Sequence, residues 1–278
     1  MRPEDDAGVH QLSVVSFSDL ERRLHEPPSP PPPPGPSLIR IRQLLERDPG
    51  GAWVAEDDGQ LVGAALAIDR AGVWGLSLLV VLPDHQSQGL GRELLKRTLE
   101  YANGGERGAI ILASPDSRAL RAYARAGFEA HPSFSASGHR RIDAPPATVR
   151  PGDADDLPLT EAVDRHVRGA PHGSDIAAYL RAGRRLFVYP ERGYALLGDD
   201  GITLLAALDE EAARDVLFAA LHAAAPDGEI RVEWITARQQ WAVSAALDAG
   251  LALSPGGAVY VRGDVGTFWP YLPSGAYL

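Results

Sequence analysis

Residues Leu82–Leu95 read L-P-D-H-Q-S-Q-G-L-G-R-E-L-L: a proline stop, two glycines one residue apart, then a leucine-rich, charged opening. Upstream, Val73–Leu82 is an almost unbroken apolar run, too apolar for an edge strand and suited to burial on both faces. Downstream, Leu90, Leu94, Leu95 and Leu99 fall at helical spacing, with Arg92, Lys96, Arg97 and Glu100 on the other side. A buried strand, a glycine turn and a helix that opens at once are the parts of an anion site. Glycine lets the backbone approach a phosphate, and the free N–H groups of the first helical turn point at it with the positive end of the dipole. The same parts also make an ordinary tight strand-to-helix turn. A dinucleotide fingerprint would place a glycine where Leu94 stands, and a triphosphate loop needs Gly-Lys-Ser/Thr; the chain has neither.

Working outward, Ala7–Leu20 carries Val9, Leu12 and Val15 at helical spacing, and Ser37 is placed to cap a helix with Leu38, Ile41 and Leu45 on one face. Between them Pro28–Ser37, P-S-P-P-P-P-P-G-P-S, reads as a stiff surface connector, because consecutive prolines lock φ and remove donors. Ala52–Glu56, a D-D-G turn at Asp57–Gly59 and Leu61–Asp69 read as a hairpin. After the glycine turn and its helix, Ala109–Ala113 reads as a short buried strand, and Ser114 with Pro115 as the entry to a helix ending at Gly127.

This order then repeats. R-P-E-D-D at Arg2 is echoed by R-P-G-D-A-D-D at Arg150, and Ala119–Phe128, A-L-R-A-Y-A-R-A-G-F, by Ala242–Leu251, A-V-S-A-A-L-D-A-G-L. The second set comprises a helix at Leu157–Val163, strands at Leu186–Tyr189, Gly193–Leu197 and Ile202–Leu208, a helix at Glu210–Ala225, a strand at Ile230–Ile235 and a helix at Ala237–Ala249. An internal duplication follows, with domains at 1–145 and 146–278. A length of 278 residues suits two such units. The fold expected is α/β (α+β): two tandem domains, each a mixed, mostly antiparallel sheet flanked by helices.

Composition narrows the chemistry. The chain has no cysteine, which removes disulfides, thiolate metal sites and cysteine nucleophiles. Lys96 is its only lysine and sits among charged neighbours, so Schiff-base chemistry is not expected. A net charge of −10 disfavours nucleic acid and anionic membrane as partners and is compatible with cationic acceptors. With no long apolar segment and an acidic start, M-R-P-E-D-D, the expected location is cytoplasmic.

The spacing Gln86-x-x-Gly89-x-Gly91, preceded by Leu79-x-Val81-x-Pro83, resembles the acetyl-coenzyme A loop of GNAT N-acetyltransferases, V-x-P followed by Q/R-x-x-G-x-G/A. Downstream, Asp116-x-x-Ala119-x-x-x-Tyr123-x-x-x-Gly127-Phe128 resembles that family's N-x-x-A-x-x-x-Y-x-x-x-G-F. The resemblance implies an acetyl-CoA-dependent N-acetyltransferase acting on a primary amine of a small molecule or peptide, with acetyl-CoA as co-substrate and no metal. It implies that backbone groups of Leu79 and Val81 hold the pantetheine arm, that Leu79 or Val80 polarises the thioester carbonyl, and that N–H groups of Gln86, Ser87, Gln88, Gly89, Leu90, Gly91 and Arg92 hold the pyrophosphate. Asp116 stands where the family has Asn; its carboxylate is a poor neighbour for phosphate but a sound helix N-terminal residue. Tyr123 matches the family's proton donor, against the alternative of a buried core aromatic.

No acid or histidine lies on Val73–Leu82 to act as base. Glu56, Asp57 and Asp58 fit turn chemistry, and nothing selects among His85, His131 and His139, so water-relayed deprotonation fits best. The aromatic, proline-braced end Gly266–Leu278 is expected to pack, and by analogy with tandem GNAT proteins of the enhanced intracellular survival type the Leu278 carboxylate is a candidate for the catalytic site of the first domain. In the second half Leu208-Asp209-Glu210-Glu211 replaces the glycine loop and Ala246 stands at the Tyr123 position, which reads as a degenerate copy without cofactor. The alternatives are a different acyl-CoA donor or an acyl-CoA-binding sensor without catalysis. The oligomeric state stays open, a homodimer included.

Overall fold

The computed structural model describes residues 1–25, 30–31, 33–102, 105–225 and 228–278. It falls into two compact units. The first comprises Met1–Glu106 and Asp116–Ala126, and the second Arg107–Pro115 and Gly127–Leu278.

In the first unit, α1 (Asp6–Leu24) and α2 (Pro34–Arg47) precede three antiparallel strands, β1 (Ala52–Asp57), β2 (Gln60–Arg70) and β3 (Val73–Val81), followed by α3 (Leu90–Tyr101) and later α4 (Ser117–Arg125). The apolar stripes meet as their spacing requires: Val9 and Leu12 of α1, Ile41 and Leu44 of α2, and Leu94 and Leu95 of α3 are all buried. Trp74 of β3 is fully buried, and its indole N–H donates to the Thr98 carbonyl of α3 at 2.9 Å, so the largest core side chain leaves no polar atom unsatisfied.

Two helix starts differ from expectation. Pro34–Ser37 forms the first turn of α2, with Pro33 as the flanking residue, so Ser37 is not the cap. Proline costs nothing in a first turn, where the missing N–H would have no intrahelical acceptor. The Ser37 hydroxyl instead meets His10 Nδ1 at 2.9 Å and links the two helices. Pro28, Ser29 and Pro32 of the connector lie outside the described residues. For α4, the cap is Asp116 rather than Ser114: its carboxylate accepts from the Arg118 N–H.

The second unit holds two antiparallel sheets. One orders β4 (Gly108–Ala113), β11 (Ala252–Gly263), β5 (Glu129–Gly138) and β10 (Ile230–Thr236). The other orders β12 (Tyr271–Leu272), β9 (Ile202–Ala207), β8 (Gly193–Leu197), β7 (Arg185–Tyr189) and β6 (Arg150–Gly152). Helices α5 (Leu157–Val167), α6 (Ser174–Arg181), α7 (Glu210–Ala223) and α8 (Gln240–Asp248) accompany them. Small residues dominate the core under α7 and α8, with Ala212, Ala213, Ala220, Ala242, Ala245 and Ala246 all inaccessible, so these helices lie close to the sheet. The two halves of the repeat exchange strands here. β11, from the end of the second half, sits between β4 and β5 of the first, and β5 in turn separates β11 from β10. Residues 107–115 and 127–145 therefore pack with the second half, and the compact units cross the repeat boundary at 145/146.

Candidate active site

The register of β3 against β2 sets the geometry. The Leu82 N–H donates to the Val62 carbonyl at 2.9 Å, and Val81, Val80, Leu79 and Leu78 pair in turn with Gly63, Ala64, Ala65 and Leu66. In an antiparallel ladder bonded and non-bonded pairs alternate, so Val80 spends its N–H and C=O on β2 while those of Leu79 and Val81 point away from it. The backbone groups of Val80 are thus used in the β2–β3 ladder, and those of Leu79 and Val81 lie on the other side of β3. The Leu79 and Val81 side chains pack against Leu90 and Leu94 of α3, which ties the strand to the helix that follows the turn. The Val81 carbonyl accepts from Ser16 Oγ at 3.2 Å and from Gln86 Nε2 at 2.8 Å. Opposite Leu66 and Ala67 the register skips from Leu78 to Leu76, leaving Ser77 as a bulged residue; its hydroxyl accepts from Arg40 Nη1 at 3.4 Å.

Beyond Val81 the chain turns through Pro83–His85 and reaches α3 by two left-handed residues, Ser87 at φ 64° and Gly89 at φ 91°. Such alternation turns successive N–H groups toward one concave side. No side chain caps α3, so the N–H groups of its first turn are left to a ligand or to solvent. Gly89 is demanded by its own conformation. At Gly91 an added Cβ would meet only Val81 Cγ2, at an ordinary 3.7 Å, so the fold itself does not require glycine there. The Gly89→Ala variant is expected to lose at least tenfold in coenzyme A affinity, since the left-handed residue costs about 1–2 kcal/mol and the turn relaxes; titration calorimetry checks this, and unchanged affinity would remove the loop from the site.

Asp116 and Tyr123 belong to the same unit as the loop. Arg118 and Arg23 both bond the Asp116 carboxylate, at 2.9 and 3.0 Å. Burial works against its charge, but the hydrogen bonds from Arg118 and Arg23 win and hold the carboxyl well below the usual aspartate value. With two guanidinium groups around it, Asp116 no longer presents a bare negative charge. That answers the electrostatic objection to an acid at this position. Arg23, at the end of α1, carried no motif signal and became visible only when the fold brought it 93 residues along the chain to Asp116. Tyr123 lies on the inner face of α4, 5% exposed.

Leu278 is in the second unit and fully buried, its main-chain oxygen accepting from His172 Nε2 and the Tyr271 hydroxyl, each at 2.9 Å. Among the histidines considered as bases, His85 Nε2 faces Asp57 at 3.2 Å and His131 faces Glu129 at 3.5 Å. Among the described residues no group of His, Asp and Glu is spaced to hold a metal ion, and no helix is long and apolar enough to cross a membrane.

The corresponding turn of the second half is closed. Asp209 caps α7, its carboxylate accepting from the Ala212 N–H at 3.0 Å, and Arg192 clamps both Asp209 and Glu211. Burial opposes the charge on Asp209, yet the Ala212 N–H and the Arg192 guanidinium keep its carboxyl below the usual value. The helix end that could receive a phosphate already holds a carboxylate.

Residues 16–128 match the model of the acetyltransferase (GNAT) family. A 69-residue stretch is 36% identical to an uncharacterized N-acetyltransferase of Archaeoglobus fulgidus; it covers 22% of this chain and 47% of that protein, so the match spans about half the length of the curated relative. Among solved structures, a Pyrococcus horikoshii protein provisionally named an acetyltransferase superposes over 100% of this chain and 93% of its own, with a TM-score of 0.81 at 17% identity. A tandem GNAT protein from the clavulanic acid biosynthesis pathway covers 96% and 97%, with a TM-score of 0.56 at 15% identity. At such identities the likeness is one of fold, and it extends over both halves.

Proposed function

From the match of residues 16–128 to the acetyltransferase (GNAT) family, we propose that the first half of the chain transfers an acetyl group from acetyl-CoA to a primary amine of a small molecule or peptide. The observation that carries this reading is the uncapped first turn of α3, approached through left-handed Ser87 and Gly89, beside a β3 strand whose Leu79 and Val81 backbone groups point away from β2. In this reading the N–H groups from Gln86 to Arg92 hold the pyrophosphate, the Leu79 C=O and the Val81 N–H bond the pantetheine amides as a neighbouring strand would, and Asp116, neutralised by Arg23 and Arg118, sits beside them. The acetyl thioester supplies the activated acyl group. The Leu79 N–H is assigned to the carbonyl oxygen as negative charge develops on it, and Tyr123 to the proton that the departing thiolate takes up. The amine loses its proton to water, since β3 carries no acid or histidine. Leu278 takes no step in this scheme.

Thiol release from acetyl-CoA across a panel of primary amines tests the reading: acceleration by at least one amine, together with coenzyme A binding in the micromolar range, is the expected outcome. Tight coenzyme binding with no turnover on any amine would instead favour an acyl-CoA sensor, and faster release from a longer acyl-CoA would reassign the donor.

A further inference from the structure

The second half repeats β3 and its register against the preceding strand. Leu208 corresponds to Leu82, so Leu205 and Ala207 correspond to Leu79 and Val81, and Thr203 to Ser77. The structure supports this alignment independently: the β8–β9 register skips from Leu204 to Ile202, leaving Thr203 bulged as Ser77 is in β3. Between strand and helix the first half has eight residues, Leu82–Gly89, and the second has two, Leu208 and Asp209.

That second edge is covered. The Ala207 N–H donates to the Pro270 carbonyl at 3.2 Å, and Tyr271 and Leu272 pair with Ala206 and Leu205 as β12. The segment thus starts at the residue matching Val81 and runs antiparallel to β9 toward the bulge. It ends in a buried polar chamber bounded by α5, α6 and β8. There Tyr179 bonds Ser274, and the Leu278 oxygen is read by His172 and Tyr271. Asp164 orients His172 through its Nδ1, at 2.8 Å, and also accepts from Tyr194. Asp164, His172, Tyr194, Tyr271 and Leu278 are all inaccessible to solvent.

We propose that residues 270–278 are an internal ligand of the second half: they occupy the side of β9 that corresponds to the cofactor-arm side of β3, and the ligand this groove takes is a peptide of that sequence, strand-paired at 270–272 and turned at 274–278, rather than a coenzyme. The correspondence to a cofactor edge rests on the function proposed above; the groove and its peptide do not. Backbone hydrogen bonds to a strand edge give such a segment affinity, and side-chain pockets give it specificity, as in strand-addition recognition. The Asp209 cap and its Arg192 clamp explain why no phosphate compound competes.

The test uses the full chain carrying Leu272→Asp, which places a charge in the groove and loosens the segment's own hold. A fluorescent synthetic peptide of residues 267–278 is expected to bind this variant at one equivalent and at least tenfold more tightly than it binds the unaltered chain, whereas a peptide with Asp at both the 271 and 272 positions does not bind. A folded variant that ignores the native peptide overturns the proposal, and so does a second equivalent of coenzyme A on the unaltered chain. If the variant does not fold, hydrogen exchange on the unaltered chain decides. The Leu205 and Ala207 amides should exchange in step with residues 270–278 and at least tenfold faster than β8 amides, and exchange at the β8 rate overturns the idea. Absence of any coenzyme A binding would count against the proposed acetyltransferase alone, because the peptide readout does not use it.

Discussion

Replacing Tyr123 with Phe is expected to lower kcat for acetyl transfer about 100- to 1,000-fold, the range for losing a positioned proton donor, while coenzyme A affinity stays within about twofold because Tyr123 is not among the pyrophosphate or arm contacts. Tyr123 is 5% exposed on the inner face of α4, so the ring also packs. Phenylalanine keeps that packing and removes only the hydroxyl, limiting the stability loss to about 1 kcal/mol. The two roles therefore separate cleanly. A folded Tyr123→Phe enzyme with kcat within fivefold of the parent would leave Tyr123 as a core aromatic and require another proton donor. A pH profile adds to this: if the tyrosine gives the proton, the alkaline limb of kcat should disappear in the variant.

Asp164→Ala is expected to be the most damaging single change in the second unit, costing about 3–5 kcal/mol and lowering Tm by about 10 °C. Asp164 has no exposed surface and accepts three hydrogen bonds, from the His172 N–H at 3.0 Å, His172 Nδ1 at 2.8 Å and the Tyr194 hydroxyl. Alanine strands all three donors in a dry site, which costs more than the loss of the bonds themselves. Burial opposes the Asp164 charge, but His172 and Tyr194 outweigh it and hold the carboxyl below the usual aspartate value of 3.8. The folded chain therefore favours the carboxylate. Its contribution is fully present above that value and is lost as pH falls below it through the lower folded-state value. Thermal melts from pH 7 to pH 3 should show this acid loss in the parent and a flatter profile in Asp164→Asn. A variant within about 1 kcal/mol of the parent at neutral pH would mean that the network around Leu278 contributes little to stability.

Much of the first half was legible in the sequence because its signals are local. The apolar run Val73–Val81, the helical spacing from Leu90 to Leu99 and the glycine pair between them each act within one element, and the structure forms the strand, turn and helix where the patterns put them. The D-D-G hairpin and the absence of a glycine loop in the second half are legible for the same reason. What failed to show was set at a distance. Nothing near Asp116 announces that Arg23 will pair with it, and nothing in Val80 separates its backbone from those of Leu79 and Val81, because only the pairing with β2 decides which edge each residue faces. Helix α6 was missed because Ser174–Arg181 is two turns long and buries Asp175 beside Ile176 and Tyr179, which blurs its polarity pattern.

By itself, then, the sequence determined the element order, the duplication and which half keeps the glycine turn, since those depend on residue type at fixed spacing. Only the tertiary structure decided where the strands go. β11 enters between β4 and β5, so the packing units depart from the repeat, and Pro270–Leu278 fills the β9 edge and its polar chamber, so Leu278 is buried with His172 and Tyr271. The physical reason is that a strand's hydrogen-bonding edge accepts any extended backbone. Residue type within a strand says little about which partner lies beside it. The choice is made by burial and loop closure across the whole chain.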